Sequence, residues 1–344
     1  MRFFRWCLPV LSSLLALPYV ASAHEVYVLS HAEVEVGLAT QPFDMFAVMQ
    51  ANFGQFAFWG FIAFVIISGI FLISIIRPME ALFDPFLRRG RKYAPLIARV
   101  TVGIAFVAAA YFQASFGPEL PLLETYGSYT PIMQGILAVT GVLIIFGLYT
   151  RIAAGVALAI YCLSVYLHGK YMLTYTNYLG EIMVLLILGA GHAKIKGRDI
   201  FARFARWLEP YSFAILRILF GVSLLYSAIY AKILHNELAL QVAELPLGHA
   251  YPIVHYLHFE PHFLVLGAAI VEVLIALFFI VGFEIRFTAL FIEFWLALSL
   301  FYFGESVWPH LILVGIPIAF IFYGYDKYSL EGKFFKKGNR EPIL

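Results

Sequence analysis

The sequence predicts an all-α integral membrane protein with about nine transmembrane helices after a signal peptide, most of them in two parallel four-helix repeats. Three observations predict it. The 344 residues are 62% hydrophobic and only 13% charged, roughly half the charged fraction of a soluble domain, with a mean hydropathy of +0.87. Apolar runs of about 20 residues, long enough to cross a bilayer, recur along the chain. One punctuation also recurs between such runs: Gly147, Arg151 and Ala154 in the first half, and Gly282, Arg286 and Ala289 at the same spacing in the second.

Residues 1–23 read as a secretory signal peptide. Arg2 and Arg5 give a basic start, Leu8–Val20 an apolar stretch, and Ala21-Ser22-Ala23 a small-residue cleavage site. An uncleaved anchor is the alternative. Residues 24–53 form an N-terminal segment on the periplasmic or extracellular side. There Val34, Val36 and Leu38 alternate with Glu33, Glu35 and Gly37, which predicts a short strand. An additional transmembrane helix follows at 54–76, stopped by Arg77-Pro78. Residues 77–95 are a basic cytoplasmic linker with Arg88, Arg89, Arg91 and Lys92.

The first repeat, 96–191, holds helices near 96–114, 131–149, 152–168 and 176–191. A second basic linker, 192–210, carries Lys194, Lys196, Arg198, Arg203 and Arg206. The second repeat, 211–326, holds helices near 211–231, 263–282, 287–303 and 308–323, and residues 327–344 form a cytoplasmic tail.

Charge supports this order of spans. Beyond the leader, the lysines and arginines fall on one side or at helix ends facing it, except Lys170 and Lys232. That asymmetry assigns the basic side to the cytoplasm, as expected of an inner (plasma) membrane protein. Of the ten histidines only His192 lies on the basic side, so the opposite face is where polar chemistry is expected. Cys7 and Cys162 form no C-x-x-C pair, which excludes dithiol chemistry by this chain alone. The basic residues are explained by topology, which leaves no case for nucleic acid. No Gly-rich phosphate loop, nucleophile elbow or heme-attachment motif is present.

Several of these residues resemble a known family. Arg217-Ile-Leu-Phe-Gly221 opens a helix, Lys232 closes it, Glu272 lies in the next helix, and Gly282, Arg286 and Ala289 follow. Arg99-Val-Thr-Val-Gly103, Gly147, Arg151, Ala154, Glu181 and Gly189-Ala190-Gly191 match in part. Together, over about residues 96–326, they resemble the DoxX-like four-helix membrane unit. That family includes the membrane subunits of quinone-linked thiosulfate dehydrogenases. The resemblance implies a quinone as cofactor, a small sulfur compound as substrate and a soluble partner or electron-donor subunit. The two halves depart from one another. Ala114 stands at the lysine position of the first half, Leu137 at the glutamate position, and Trp308 or His310 lies about where the first half has Glu181. One composite site, or one working half, therefore fits better than two equal sites.

The candidate catalytic residues are Glu272, Arg217 and Lys232, with Glu181 and His310 beside them. An unpaired carboxylate near mid-membrane costs several kcal/mol, so Glu272 should be protonated, paired or in a wet cavity. At about 1.5 Å per residue, Arg217 lies about 9 Å from the cytoplasmic side, Glu293 about 10 Å and Glu272 about 15 Å. An Arg217–Glu272 or Arg217–Glu293 pair is therefore expected. The same count puts Lys232 about 15 Å from Glu272, too far to pair unless a helix unwinds. Such a pair either fixes helix register or serves as a proton path or headgroup contact. Tyr226, Tyr230 and Phe303 are candidates to stack on a quinone ring.

The long outer loop of the second half holds His235, His249, His255, His258 and His262. His255 and His258 share a helical face and are the candidate ligands for copper or zinc. A polar loop lying on the bilayer surface is the plainer reading of the same residues. His24, if freed by cleavage, joins His31 as a further copper candidate. Three function classes stay open: a subunit of a quinone-linked oxidoreductase, a non-catalytic scaffold or metal-handling protein, and a small-solute transporter. Whether the chain is itself an enzyme stays open with them.

Overall fold

A computed structural model describes residues 29, 31–76, 78–190, 205, 207–244, 260–303 and 308–334. Among them the chain is helical, and the β pairing is a single bridge between Ala114 and Pro121. The predicted signal peptide, His24, His249, His255 and His258 lie outside the described residues.

Five helical stretches are long and apolar enough to cross a membrane: Phe83–Tyr111, Leu122–Phe146, Thr150–Leu188, Glu209–Leu234 and Pro261–Val281. A sixth is reached if the bent pair Met45–Ala51 and Phe53–Val65 counts as one span. The protein is thus a multi-pass helical membrane protein. Fewer helices than the nine expected meet that measure among the described residues. Thr150–Leu188 is helical throughout but reverses at Gly169–Tyr175, since Arg151 Nε near its start donates to Leu186 O near its end at 2.8 Å; it therefore holds two helices, as expected, and Trp308–Tyr323 is a short apolar helix.

The helices, in chain order, are α1 (His31–Ala39), α2 (Met45–Ala51), α3 (Phe53–Ile76), α4 (Pro78–Gly90), α5 (Ala94–Tyr111), α6 (Leu122–Tyr126), α7 (Thr130–Phe146) and α8 (Thr150–His168). They continue with α9 (Thr176–Leu188), α10 (Ser212–Ile229), α11 (Asn236–Glu244), α12 (Pro261–Val281), α13 (Ile285–Phe303), α14 (Leu311–Tyr323) and α15 (Leu330–Phe334). A 3-10 stretch, Gly169–Tyr175, joins α8 to α9, and a π turn, Tyr230–Leu234, extends α10.

Local sequence explains where these helices start and stop. Prolines occupy the first turn of α5, α7 and α12, where a missing N–H costs nothing. The Glu260 carboxylate caps α12, accepting from His262 N at 3.2 Å and Phe263 N at 2.7 Å. Gly147 and Gly282 end α7 and α12 in the left-handed conformation, with φ of 71° and 74°.

Small residues set the closest packing. A Cβ on Gly103 of α5 would lie 3.0 Å from the Gly141 carbonyl of α7, and one on Gly221 of α10 would lie 2.8 Å from the Ala276 carbonyl of α12. Such close backbone approach is how membrane helices gain contact where apolar burial supplies little drive. The outer face of α7 instead exposes Ile132, Ile136, Val139, Val142 and Phe146, a helical stripe suited to lipid.

The helices close into a ring. α5 packs on α7 and α10 on α12; α8 packs on α9 and α13 on α14. α9 packs on α10 across the middle, and α14 packs on α5. The end that carries His168, Lys232 and His235 is the histidine end; the other is the basic end.

The basic end is held by four arginines. Arg151 Nε donates to Leu186 O at 2.8 Å and Arg286 Nε to Ile321 O at 3.0 Å, both across 35 residues. Tyr149 and Glu284, each two before its arginine, share positive φ of 47° and 45°. Gly189 and Gly324, at one spacing after the arginines, share φ/ψ of 63°/−143° and 74°/−151°, a region only glycine enters freely. Arg99 Nη1 donates to Ala190 O at 2.8 Å, whereas Arg217 meets a carboxylate, Asp326, at 2.8 Å.

Three expected elements differ. The predicted strand is the helix α1. Val34 packs with Leu238 and Val242, while Val36 and Leu38, which would share its face on a strand, are exposed. A Cβ on Gly37 would fall 2.5 Å from Leu238 Cδ2, so α1 lies tight on α11. The basic linker contains α4, which packs on α14 and buries Asp84. The tail is docked as well: Glu331 N donates to Gly282 O at 3.1 Å, and Glu331 Oε2 accepts from Ile285 N at 3.3 Å.

Candidate functional site at the histidine end

α10 does not end as a regular helix. His235 N donates to Tyr230 O at 3.0 Å, a five-residue hydrogen bond that widens the last turn. A widened turn of this kind often marks a functional position. Lys232 sits inside it, buried, and its ammonium lies 3.0 Å from Glu272 Oε2 of α12. The two side chains are 8% and 14% exposed, so the pair is largely removed from solvent. Trp295 Nε1 on α13 stands 3.5 Å from Glu272 Oε1, at the limit of hydrogen-bond reach.

This corrects the expected separation of Lys232 and Glu272. Counting depth from each helix's own end assumed that those ends were level. They are not: α12 runs on past Lys232, where its upper turns pack against α11 and α2. A reciprocal pair, Phe43 N to Asn236 Oδ1 at 3.0 Å and Asn236 Nδ2 to Phe43 O at 2.9 Å, ties the N-terminal segment over this end.

Arg217 is corrected too. Its partner is neither Glu272 nor Glu293 but Asp326, and it also donates to Ile280 O at 2.7 Å and to Phe279 O. The reason is the chain reversal at Gly324, which brings the segment after α14 back over Arg217. Arg217 therefore belongs to the basic end, away from Lys232. Arg286 is held likewise, by Asp84 at 2.9 Å.

The other predicted residues scatter. Glu181 is fully buried on α9, with Oε1 accepting from Thr101 Oγ1 at 3.0 Å and Oε2 without a hydrogen-bond partner among the described residues. His310 is fully buried in the 3-10 turn that opens α14. Tyr226 and Tyr230 stack on each other with centroids 6.0 Å apart, one turn apart on the same helix. That spacing leaves no slot for a third ring between them. The Phe303 side chain lies outside the described residues. Among the described residues no group of three or more His, Cys, Asp or Glu is placed to hold a metal.

Sequence reasoning passed over Glu119, which lies in the loop between α5 and α6. Its Oε1 accepts from the hydroxyls of Tyr171, at 3.2 Å, and Tyr175. Its Oε2 is shut off from solvent and has no hydrogen-bond partner among the described residues. Burial pushes the Glu119 carboxyl up to about 7, against the downward pull of the Tyr175 hydroxyl, its own backbone amide and the Tyr171 hydroxyl. Tyr171 in turn meets Tyr230 edge-on at 5.7 Å, so the 3-10 stretch that bonds Glu119 also reaches the π turn that carries Lys232. One signal was present in the sequence: Tyr171 and Tyr175 are four apart, a spacing that would share a face in an α-helix.

Comparison of the chain with protein-family models, with curated proteins and with solved structures finds no match.

Proposed function

We propose that this chain is the membrane subunit of a quinone-linked oxidoreductase. Its working end is the histidine end, facing the periplasmic or extracellular side of the inner (plasma) membrane. There it takes electrons from a soluble partner or donor subunit, with a small sulfur compound as the substrate class. The Lys232–Glu272 pair carries the reading. It sets a donor beside an acceptor in apolar surroundings, at a widened helical turn, with the Trp295 indole alongside. Those residue types suit a lipid-borne ring whose two oxygens alternate between carbonyl and hydroxyl.

A bound quinone supplies two-electron chemistry coupled to the exchange of two protons. The rest falls to the chain. Lys232 Nζ donates a hydrogen bond and favours negative charge beside it. Glu272 accepts and returns a proton. Trp295 shields the carboxylate on the side of α13.

We further infer that 96–191 and 211–326 are tandem DoxX-like four-helix repeats running in parallel. The shared 35-residue arginine bond, the paired positive-φ positions and the ring of helix contacts support it. Gly180 and Gly315 add to it, at one spacing from their arginines, each pressed against the first long helix of the other half. In this register Lys232 matches Ala114 and Glu272 matches Leu137, as expected. His310 matches Tyr175, however, and Glu181 matches Ile316, so His310 is not the counterpart of Glu181.

The test is retention of quinone by protein purified in mild detergent, read by native mass spectrometry. Added short-chain quinone should also quench Trp295 fluorescence. Lys232→Met and Glu272→Gln should each lose both signals. Wild-type protein with neither signal would overturn the reading.

A further inference from the structure

The Lys232–Glu272 pair makes no use of two acids of the first half, Glu119 and Glu181, each of which keeps a buried oxygen without a hydrogen-bond partner among the described residues. Glu119 stands at the histidine end; Glu181 is buried in the bundle on α9. In each the other oxygen is bonded by hydroxyls. Tyr178 and Glu181 are three apart on neighbouring turns of α9, and Tyr175 stands three before Tyr178, just ahead of the helix. The Tyr178 hydroxyl donates at 3.1 Å to Phe116 O, in the loop that carries Glu119. It lies within electrostatic reach of both Glu119 and Glu181. The Tyr175 and Tyr178 rings meet edge-on at 6.0 Å.

At the inner end the Thr101 hydroxyl has a choice of partners: Glu181 Oε1 at 3.0 Å, Ile97 O at 2.9 Å or Ala98 O at 3.1 Å. It can stay bonded whether or not the carboxyl needs it.

A purely structural role explains this poorly. Ile316, at the spacing from Arg286 that Glu181 has from Arg151, is fully buried in α14 as a plain apolar side chain. A buried carboxyl with a bare oxygen stabilises nothing that isoleucine or glutamine would not. An intramembrane acid that faces a bundle interior is by default a functional residue, and proton relays are among its uses.

We propose that Glu119, Tyr175, Tyr178 and Glu181 form a proton-uptake path from the histidine end into the membrane core, with Glu181 the inner acceptor. Glu119, a partly exposed residue of the loop at this end, is the entrance and gains the proton first. A tyrosine hydroxyl gives its proton inward as it takes one from the Glu119 side, so each step breaks one O–H bond and forms another. Glu181 Oε2 receives the proton; no electron moves. The run from Tyr175 to Glu181 is about 9 Å along α9, a distance that Tyr178 and about two waters span at hydrogen-bond spacing. The titratable groups facing Glu119 are Tyr171 and Tyr175, with Tyr178 behind them. Burial holds the Glu119 carboxyl at about 7, where it gains and loses protons near neutrality.

The path does not depend on a quinone, and its test uses quinone-free protein. The full chain in lipid nanodiscs is moved from H2O to D2O and its protonated-carboxyl infrared band followed. One component should vanish in Glu181→Gln, which assigns it. Its deuterium exchange should slow at least about tenfold in Glu119→Gln and in Tyr178→Phe. Tyr178→Phe keeps the ring packing if Glu119→Gln folds poorly. Absence of a Glu181 band, or exchange as fast in both variants as in the wild type, would overturn the path. Either outcome leaves quinone retention at Lys232 and Glu272 a separate question.

Discussion

Lys232 Nζ and Glu272 Oε2 lie 3.0 Å apart, one in a π turn and the other well inside the neighbouring helix. Breaking such a pair from one side leaves an uncompensated charge with little water. Glu272→Ala and Lys232→Ala should each lower stability by about 3–5 kcal/mol. The double variant Lys232→Met with Glu272→Leu should recover most of that loss, because two apolar groups need no partner. Thermal unfolding of the four proteins in one detergent gives the cycle. Additive losses would mean that the two residues do not act as a pair.

How far the sequence foretold this site depends on what each residue type reveals. The long helices were legible because apolar runs, first-turn prolines and terminal glycines all mark the same boundaries. Arg151 and Arg286 were legible as punctuation, and the structure gives them one shared bond. Lys232 and Glu272 were legible as unusual residues but not as partners, since sequence carries no information on how far one helix end stands above another. Asp326 and Asp84 were missed because they follow or precede the helices in stretches that look like solvated linkers. Val34, Val36 and Leu38 misled because a short alternating run fits a strand until α11 supplies a helical partner for Val34 alone.

Arg217 and Asp326 should hold the tail to the bundle. The Arg217 guanidinium, 1% exposed, has one charged partner and two carbonyls. Asp326→Ala strands that charge and should cost about 3–5 kcal/mol. It should also expose residues 327–334 to protease, since the Asp326 carboxylate, besides holding Arg217, accepts from Tyr328 N at 2.8 Å at the start of the tail. Asp84→Ala tests the same principle at Arg286 without touching the tail. Equal protease sensitivity in the two variants would show that Asp326 has no special hold on the C-terminus.

The glycines separate close packing from mere helix content. A Cβ on Gly221 would sit 2.7 Å from Ile280 Cγ1 and 2.8 Å from Ala276 O, so Gly221→Ala must force α10 from α12. Overpacking of this kind costs about 1–3 kcal/mol. Gly103→Ala should behave alike, with Ile145 Cγ1 at 2.7 Å. Gly155→Ala is the contrast: nothing lies within 4 Å of its added carbon, and alanine is favoured over glycine inside a helix by about 0.5–1 kcal/mol. Melting midpoints should fall for the first two and hold or rise for the third. A fall in all three of similar size would make helix crossing distance irrelevant.

Glu119 should make stability depend on pH near neutrality. The ordinary carboxyl value is 4.5, and burial raises Glu119 to about 7 in the folded protein. The folded state therefore binds this proton more tightly than the unfolded chain does. The resulting stabilisation is fully present below about 4.5 and is lost as pH rises through about 7. Its size is at most roughly 3.5 kcal/mol, because each tenfold gain in proton affinity is worth about 1.4 kcal/mol. Glu119→Gln has no proton to lose and keeps a hydrogen-bonding oxygen for Tyr171 and Tyr175. It should melt like the wild type near about pH 4 and above it near about pH 8, with the curves parting between. Tyr175→Phe removes a hydroxyl that stabilises the ionised form, so the drop should become larger and run on to higher pH. Parallel melting curves for wild type and Glu119→Gln would mean that the carboxyl does not titrate in this window, and would also remove the entrance from the path to Glu181.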